Sequence, residues 1–127
     1  MFGRKGIDNM EYKEFEKNIF AWARKRGMID NVSSSEESLE LMRTKQASKI
    51  GEEYGELLAD FNKRKHSKEH AKHLRDSVGD VLVTLLIFAK QNGLTLEECW
   101  DKSWSHIKDR DGQMVDGVYV KKQDMDR

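Results

Sequence analysis

Apolar residues recur at helical spacing along most of the chain. Phe15, Ile19, Trp22 and Ala23 mark one face of a first helix, predicted over about Glu11 to Arg26 with Gly27 as its left-handed cap. Ile50, Tyr54, Leu57, Leu58 and Phe61 form the expected buried stripe of a second helix ending near Lys63. Ser33, Ser34 and Ser35 precede it, and Glu36 and Glu37 sit three residues after the first two, as a capping box requires. Leu74, Val78, Val81, Leu82 and Leu85 mark the stripe of a third helix, opened by Ser67, running to Asn92 and stopped by Gly93. Thr95-x-x-Glu98 is a second capping box and opens a fourth helix toward Asp109, with Gly112 closing that run. The segment Met114 to Val120 carries Asp116-Gly117 at its centre, which suits a type I′ hairpin turn. The expected fold is therefore all-α: a bundle of about four main helices with a short C-terminal β-hairpin.

Composition sharpens this picture. A chain of 127 residues without proline has the size of one domain and allows long helices throughout. We expect a single domain over 1–127, with its core over about 11–120 and a charged tail, 121–127, that frays. The charged fraction is 36%, too high for a thick buried sheet but suited to helices with one wet face each. The most apolar stretch, Val81 to Ala89, is too short to span a bilayer, and the opening segment Met1 to Asp8 lacks the apolar run of a signal peptide. With a single cysteine, Cys99, these features lead us to expect a cytoplasmic protein with no membrane partner. Net charge is zero, which argues against a nucleic-acid binder. Its distribution is uneven, however: a basic block over 63–75 separates acidic blocks over 34–62 and 76–101.

The acids carry the chemistry. Glu53 lies three residues after Ile50 and four before Leu57, so it points into the apolar seam, and Glu56 lies one turn further on. Asp76 and Asp80 stand one above the other on the third helix. Antiparallel pairing of these two helices would bring all four carboxylates together. Such a group needs protons, solvent or a cation, because like charges about 4 Å apart repel by about 4 kcal/mol at an effective dielectric near 20. Without His or Cys at matching spacing, the donor set favours Mg²⁺ or Mn²⁺ over zinc. By spacing alone, ExxE and DxxxD also occur on solvated helix flanks.

Gln46-Ala-Ser-Lys49-Ile-Gly-Glu-Glu53-Tyr-Gly-Glu56-Leu, followed by Asp76-Ser-Val-Gly-Asp80-Val-Leu, resembles the MazG-like branch of the all-α nucleoside triphosphate pyrophosphohydrolases. Glu53 and Glu56 match that family's ExxE pair, and Asp80 matches the aspartate of its ExxD pair. Ala21-Trp22-Ala-Arg-Lys-Arg26-Gly-Met and Trp104-Ser-His-Ile107-Lys108-Asp-Arg110-Asp-Gly112 resemble flanking segments of phage-type and Gram-positive members. The likeness spans about residues 19 to 120. It implies Mg²⁺-dependent hydrolysis of a nucleoside triphosphate to the monophosphate and pyrophosphate, in a helical homodimer or homotetramer. Glu53, Glu56 and Asp80 would then be catalytic, holding metal together with Asp76. Two positions depart from the pattern: Ser77 stands where the family's ExxD glutamate falls, and Ser105 where an asparagine is expected.

Asp76, one turn before Asp80, is the expected replacement for the acid missing at Ser77. Lys49 is placed either to reach phosphate or to pair with Glu53. Lys108 and Arg110 are expected to meet substrate phosphate, which requires the fourth helix to end between them. Trp22 is a candidate to stack on the base, or else a core residue. His66, His70 and His73 sit in the basic block and read as a solvated helix start rather than a zinc site. A rival reading from another class is a regulatory helical module that binds a nucleotide without turning it over.

Overall fold

The computed structural model describes residues 9–125. The opening segment read above for a leader, and the last two residues of the tail, lie outside the described residues. The elements follow as α1 (Tyr12–Lys25), α2 (Glu36–Lys63), α3 (Lys68–Gln91), α4 (Leu96–Ile107), β1 (Gly112–Val115), β2 (Val118–Lys121) and a 3₁₀ turn (Lys122–Asp124). No helix among the described residues is long and apolar enough to cross a membrane. The elements fall into two compact units, one ending at Leu94 and the other beginning at Thr95.

In the first unit, glycine geometry ends two helices in the same way. Gly27 (φ +74°) follows α1 and Gly93 (φ +72°) follows α3. Past each glycine the chain folds back, with the Met28 N–H donating to the Ala23 carbonyl at 3.0 Å and the Leu94 N–H to the Ala89 carbonyl at 2.8 Å. Those bonds satisfy carbonyls that a helix end leaves open. The fold-back after α1 places Ile29 beside Ala23 and Ile87, and these three form a small buried core lined by Ile19, Phe20, Met28 and Val83. α1 therefore packs on α3, and α3 makes its most extensive contact with α2.

Three expectations need correction here. The N-cap of α2 is Ser35, whose hydroxyl accepts from the Ser38 N–H, so neither Ser33 nor Ser34 forms a capping box with Glu36 or Glu37. The apolar stripes of α2 and α3 are only partly buried. Tyr54, Leu58 and Phe61 on α2, and Val78 and Leu82 on α3, are 38–56% exposed. α2 instead turns Gln46 and Glu53 inward, where Gln46 bonds the Thr84 carbonyl on α3 and Glu53 pairs with Lys49 of its own helix. Among the stripe residues of α1, Trp22 is also half exposed, beneath the Arg26 guanidinium at 4.3 Å from its ring centre.

In the second unit, the Thr95–Glu98 capping box forms as expected, with both reciprocal bonds present. α4 ends at Ile107, two residues short of Asp109, with Lys108 as its C-cap. The hairpin is longer than expected: it pairs Gly112 with Lys121 and Val115 with Val118. Asp116 (φ 50°) and Gly117 (φ 83°) both adopt the left-handed region that a type I′ turn demands. Gly112 does more than stop a helix, since a Cβ there would collide with the Val120 carbonyl and the Tyr119 ring. In the tail, Lys121 belongs to β2, and a 3₁₀ turn follows in which the Lys122 N–H donates to the Asp111 carbonyl at 2.8 Å.

Candidate metal and substrate site

A ladder of polar residues runs along the seam between α2 and α3. On α2, Gln46, Glu53 and Asp60 recur every seven residues, a spacing that keeps one face toward an antiparallel neighbour. At the first rung, buried Gln46 donates through Nε2 to the Thr84 carbonyl at 3.1 Å. The Thr84 hydroxyl in turn donates to the Val81 carbonyl at 2.8 Å.

The middle rung holds the acids. Glu53, Glu56 and Asp80 each present a carboxylate oxygen, and these oxygens lie within 4.8 Å of one another. Glu53 is buried, whereas Glu56 and Asp80 are exposed. The Lys49 ammonium pairs with Glu52 at 3.2 Å and with Glu53 at 3.3 Å. Glu52 first and Glu53 second hold it above the ordinary lysine range. Lys49 thus balances one charge of the group on the protein's own account. Three converging hard oxygens, without nitrogen or sulphur donors, fit a hard divalent cation such as Mg²⁺ or Mn²⁺.

Asp76 is not in this group. Although one turn before Asp80, it is exposed, and its oxygens do not converge with the other three. The reason is angular: the seam residue of that turn is Ser77, which is buried, and Asp76 lies about 100° around the helix from it.

The third rung was not expected from sequence. Asp60 accepts a hydrogen bond from the Ser77 hydroxyl and pairs with His70 Nδ1 at 2.8 Å. These bonds, Ser77 first and His70 second, hold the Asp60 carboxyl below its ordinary value. The solvated reading of the three histidines is therefore corrected for His70, which ties the start of α3 to the end of α2. The heptad recurrence of Gln46, Glu53 and Asp60 was the signal in the sequence that pointed to this ladder.

Beside the middle rung lies a cleft of about 250 Å³. Lys49, Glu53 and Asp80 form its charged side, with Trp22, Met28 and Val83 contributing apolar surface. The structure thus brings Trp22, Lys49, Glu53 and Asp80 to one opening. The second unit holds Lys108 and Arg110. α4 ends before them, and Arg110 lines an open cleft of about 720 Å³ with His106, Asp109, Lys121 and Lys122. Lys108 is not among the residues lining it.

No family model matches the chain, and no solved structure matches it. The chain is similar, at 30% identity over 82 residues, to an uncharacterized 18.2 kDa protein of the rep-hol intergenic region of Haemophilus phage HP1 (strain HP1c1). That likeness covers 65% of this chain and 42% of the phage protein, so the chain spans about two fifths of its relative's length.

Proposed function

We propose that the protein is a Mg²⁺-dependent nucleoside triphosphate pyrophosphohydrolase that works as a homo-oligomer. The observation that carries this reading is the convergence of Glu53, Glu56 and Asp80, of which Glu53 and Asp80 line a cleft together with Trp22 and Lys49. The motif order resembling MazG-like enzymes supports it further. A triphosphate is a polyanion and needs positive charge to approach an acidic site. Mg²⁺, when bound, would supply that positive charge and make water a better nucleophile.

The chain's own residues would do the remaining work. Glu53, Glu56 and Asp80 are the residues to hold the ion, and Asp76 serves at most through a water. One of the carboxylates takes the proton of the attacking water. Lys49 stands one turn from Glu53 with half its side chain exposed, so it can exchange that carboxylate for phosphate. The exposed Trp22 ring offers a flat apolar surface to a base. Lys108 and Arg110, in the second unit, are proposed to bind phosphate.

The test is incubation with each common NTP and dNTP plus Mg²⁺, followed by product separation. Monophosphate with pyrophosphate is the expected result, and diphosphate with orthophosphate would sink the reading. One observation favours a second reading: Ser77 gives its hydroxyl to Asp60 and adds no charge to the acidic group. A regulatory module that binds a nucleotide with Mg²⁺ but never turns it over would show calorimetric binding without products.

A further inference from the structure

We propose that the basic tip joining α2 to α3, with the groove beside it on α3, is a docking surface for single-stranded nucleic acid. The proposal goes beyond the hydrolytic reading and rests on none of it.

The first observation is charge without a counter-charge. Residues 63–75 carry Lys63, Arg64, Lys65, Lys68, Lys72 and Arg75 against Glu69 as their acid. All of these cations but Arg64 are exposed. The Lys and Arg ion pairs among the described residues lie elsewhere, on Lys13, Arg24, Arg43, Lys49, Lys90 and Lys122. Asp60, which faces the start of α3, is engaged by Ser77 and His70. Zero net charge is a sum over the whole chain, and it conceals this local excess.

The second observation is that the excess runs against local helix physics. α3 begins at Lys68, and a cation in the first turn opposes the positive end of the helix dipole. Lys68, Lys72 and Arg75 follow one another at four and three residues, and like charges at those spacings destabilise a helix. An anion lying on this stripe offsets each of these costs. Three cations in a row fit a repeating anion better than a single one. The stripe rises about 10 Å from Lys68 to Arg75, the length of about three stacked nucleotides at about 3.4 Å each.

Shape decides between polyanions. Lys72 and Arg75 line an open groove of about 600 Å³ together with Ala71, Leu74 and Val78. The cations suit phosphates, and the apolar floor suits a flat base or a sugar. At about 100° per residue, Phe61 lies about 100° from the seam residue Asp60, and Val78 lies about 100° from Ser77, which bonds Asp60. Equal rotation from the seam of an antiparallel pair leads to the same face, so Phe61 turns toward the side of the groove. Its ring is 44% exposed, with the Arg64 guanidinium 3.6 Å from the ring centre. Aromatic rings and guanidinium planes are the surfaces on which unpaired bases stack. An acidic protein would use the cations and leave the floor and the Phe61–Arg64 stack without a role. A duplex keeps its bases paired and away from both.

The experiment titrates the full chain into fluorescein-labelled oligothymidylate and reads anisotropy, with EDTA present so that no metal acts at the carboxylates. Binding at micromolar protein is expected. With about three to four phosphates contacted, affinity should fall about 20- to 50-fold between about 50 and 200 mM salt. Lys68→Glu combined with Lys72→Glu should weaken binding at least about 10-fold. Phe61→Ala should weaken it at least about 5-fold, and Lys17→Glu, at an exposed position of α1, should leave it unchanged. In the unsubstituted protein, bound oligothymidylate should shield Lys68 and Lys72 from acetylation and leave Lys17 reactive, which keeps the test open if a variant fails to fold. No binding, binding that salt leaves unchanged, or an equal loss from Lys17→Glu overturns the proposal. Tighter binding of a duplex overturns it too, as does equal competition by polyglutamate or by phosphatidylserine vesicles, which would assign the tip to an acidic protein or a membrane surface.

Discussion

The α2–α3 pair and the C-terminal unit are built on opposite principles. α2 and α3 are fastened by side chains far apart in sequence: Gln46 to the Thr84 carbonyl, and Asp60 to His70 and Ser77. The C-terminal unit is fastened by neighbours, through the Thr95–Glu98 box and the Asp116-Gly117 turn. α3 buries five residues fully, whereas α4 buries none and leaves Trp100, Trp104 and Ile107 exposed. The difference teaches where chemistry can be placed. Converging carboxylates repel, and only a seam held by other bonds on both sides of them keeps them together. A locally capped helix and hairpin can present cations to solvent but have no comparable brace.

The sharpest way to break this comparison is through Glu53. On the proposed reading, Glu53→Gln should lower Mg²⁺-dependent turnover by at least about 100-fold, the scale of losing one electrostatic partner in a reaction centre. Asp80→Asn should act similarly, while Asp76→Asn should cost far less, because Asp76 stands outside the convergent group. Steady-state kinetics with magnesium titration checks all three. Equal damage from Asp76→Asn and Asp80→Asn would put Asp76 back among the ligands.

The next largest effect is structural and tests the brace. Gln46→Ala removes the buried side-chain bond to the Thr84 carbonyl, at a cost of about 0.5–1.5 kcal/mol in denaturant unfolding. In the C-terminal unit the equivalent break is Gly112→Ala, which forces β1 away from Val120 and Tyr119. Amide exchange should then rise across Gly112–Lys121 with little change in α3. Loss of protection in α3 as well would show that the units are not independently braced.

A pH titration separates the two regions more gently. The Asp60 carboxyl is held below its ordinary value of 3.8 by Ser77 and then His70. A carboxyl lowered in the folded state stabilises above the unfolded value, and that contribution is lost as pH falls through the folded one. Asp60→Asn should therefore lower stability near neutral pH and flatten the loss of stability on acidification below about pH 4. An unchanged acid limb would mean that the Asp60 bonds contribute nothing to folding.

The smallest expected effect is a gain. A Cβ at Gly55 would meet nothing within 4 Å, so Gly55→Ala should stabilise α2 by up to about 1 kcal/mol through helix propensity. Thermal denaturation checks it, and a loss of stability would place a partner against that side of the helix.

Element ends and turn chemistry were legible in the chain because they depend on residues within a few positions of one another. Gly27, Ser67, Gly93, Thr95 with Glu98, and Asp116-Gly117 each act over one turn, and their outcomes are those of the local pattern. The Glu53–Glu56–Asp80 convergence was legible for a related reason, since helical spacing and a short connection leave an antiparallel pair few registers. Only the tertiary structure decided how far each helix rotates about its own axis. A rotation of about 50° separates a seam centred on Leu57 and Ile50 from one centred on Gln46, Glu53 and Asp60. Apolar burial is non-directional and tolerates either choice, but a buried carboxamide or carboxylate must find a partner at hydrogen-bond distance. Thr84, Ser77 and His70 supply those partners to Gln46 and Asp60 from the facing helix, while Lys49 pairs with Glu53 from its own. They therefore set the rotation, hold Ser77 in the seam, leave Asp76 outside the acidic group, and turn Tyr54, Leu58 and Phe61 to the surface.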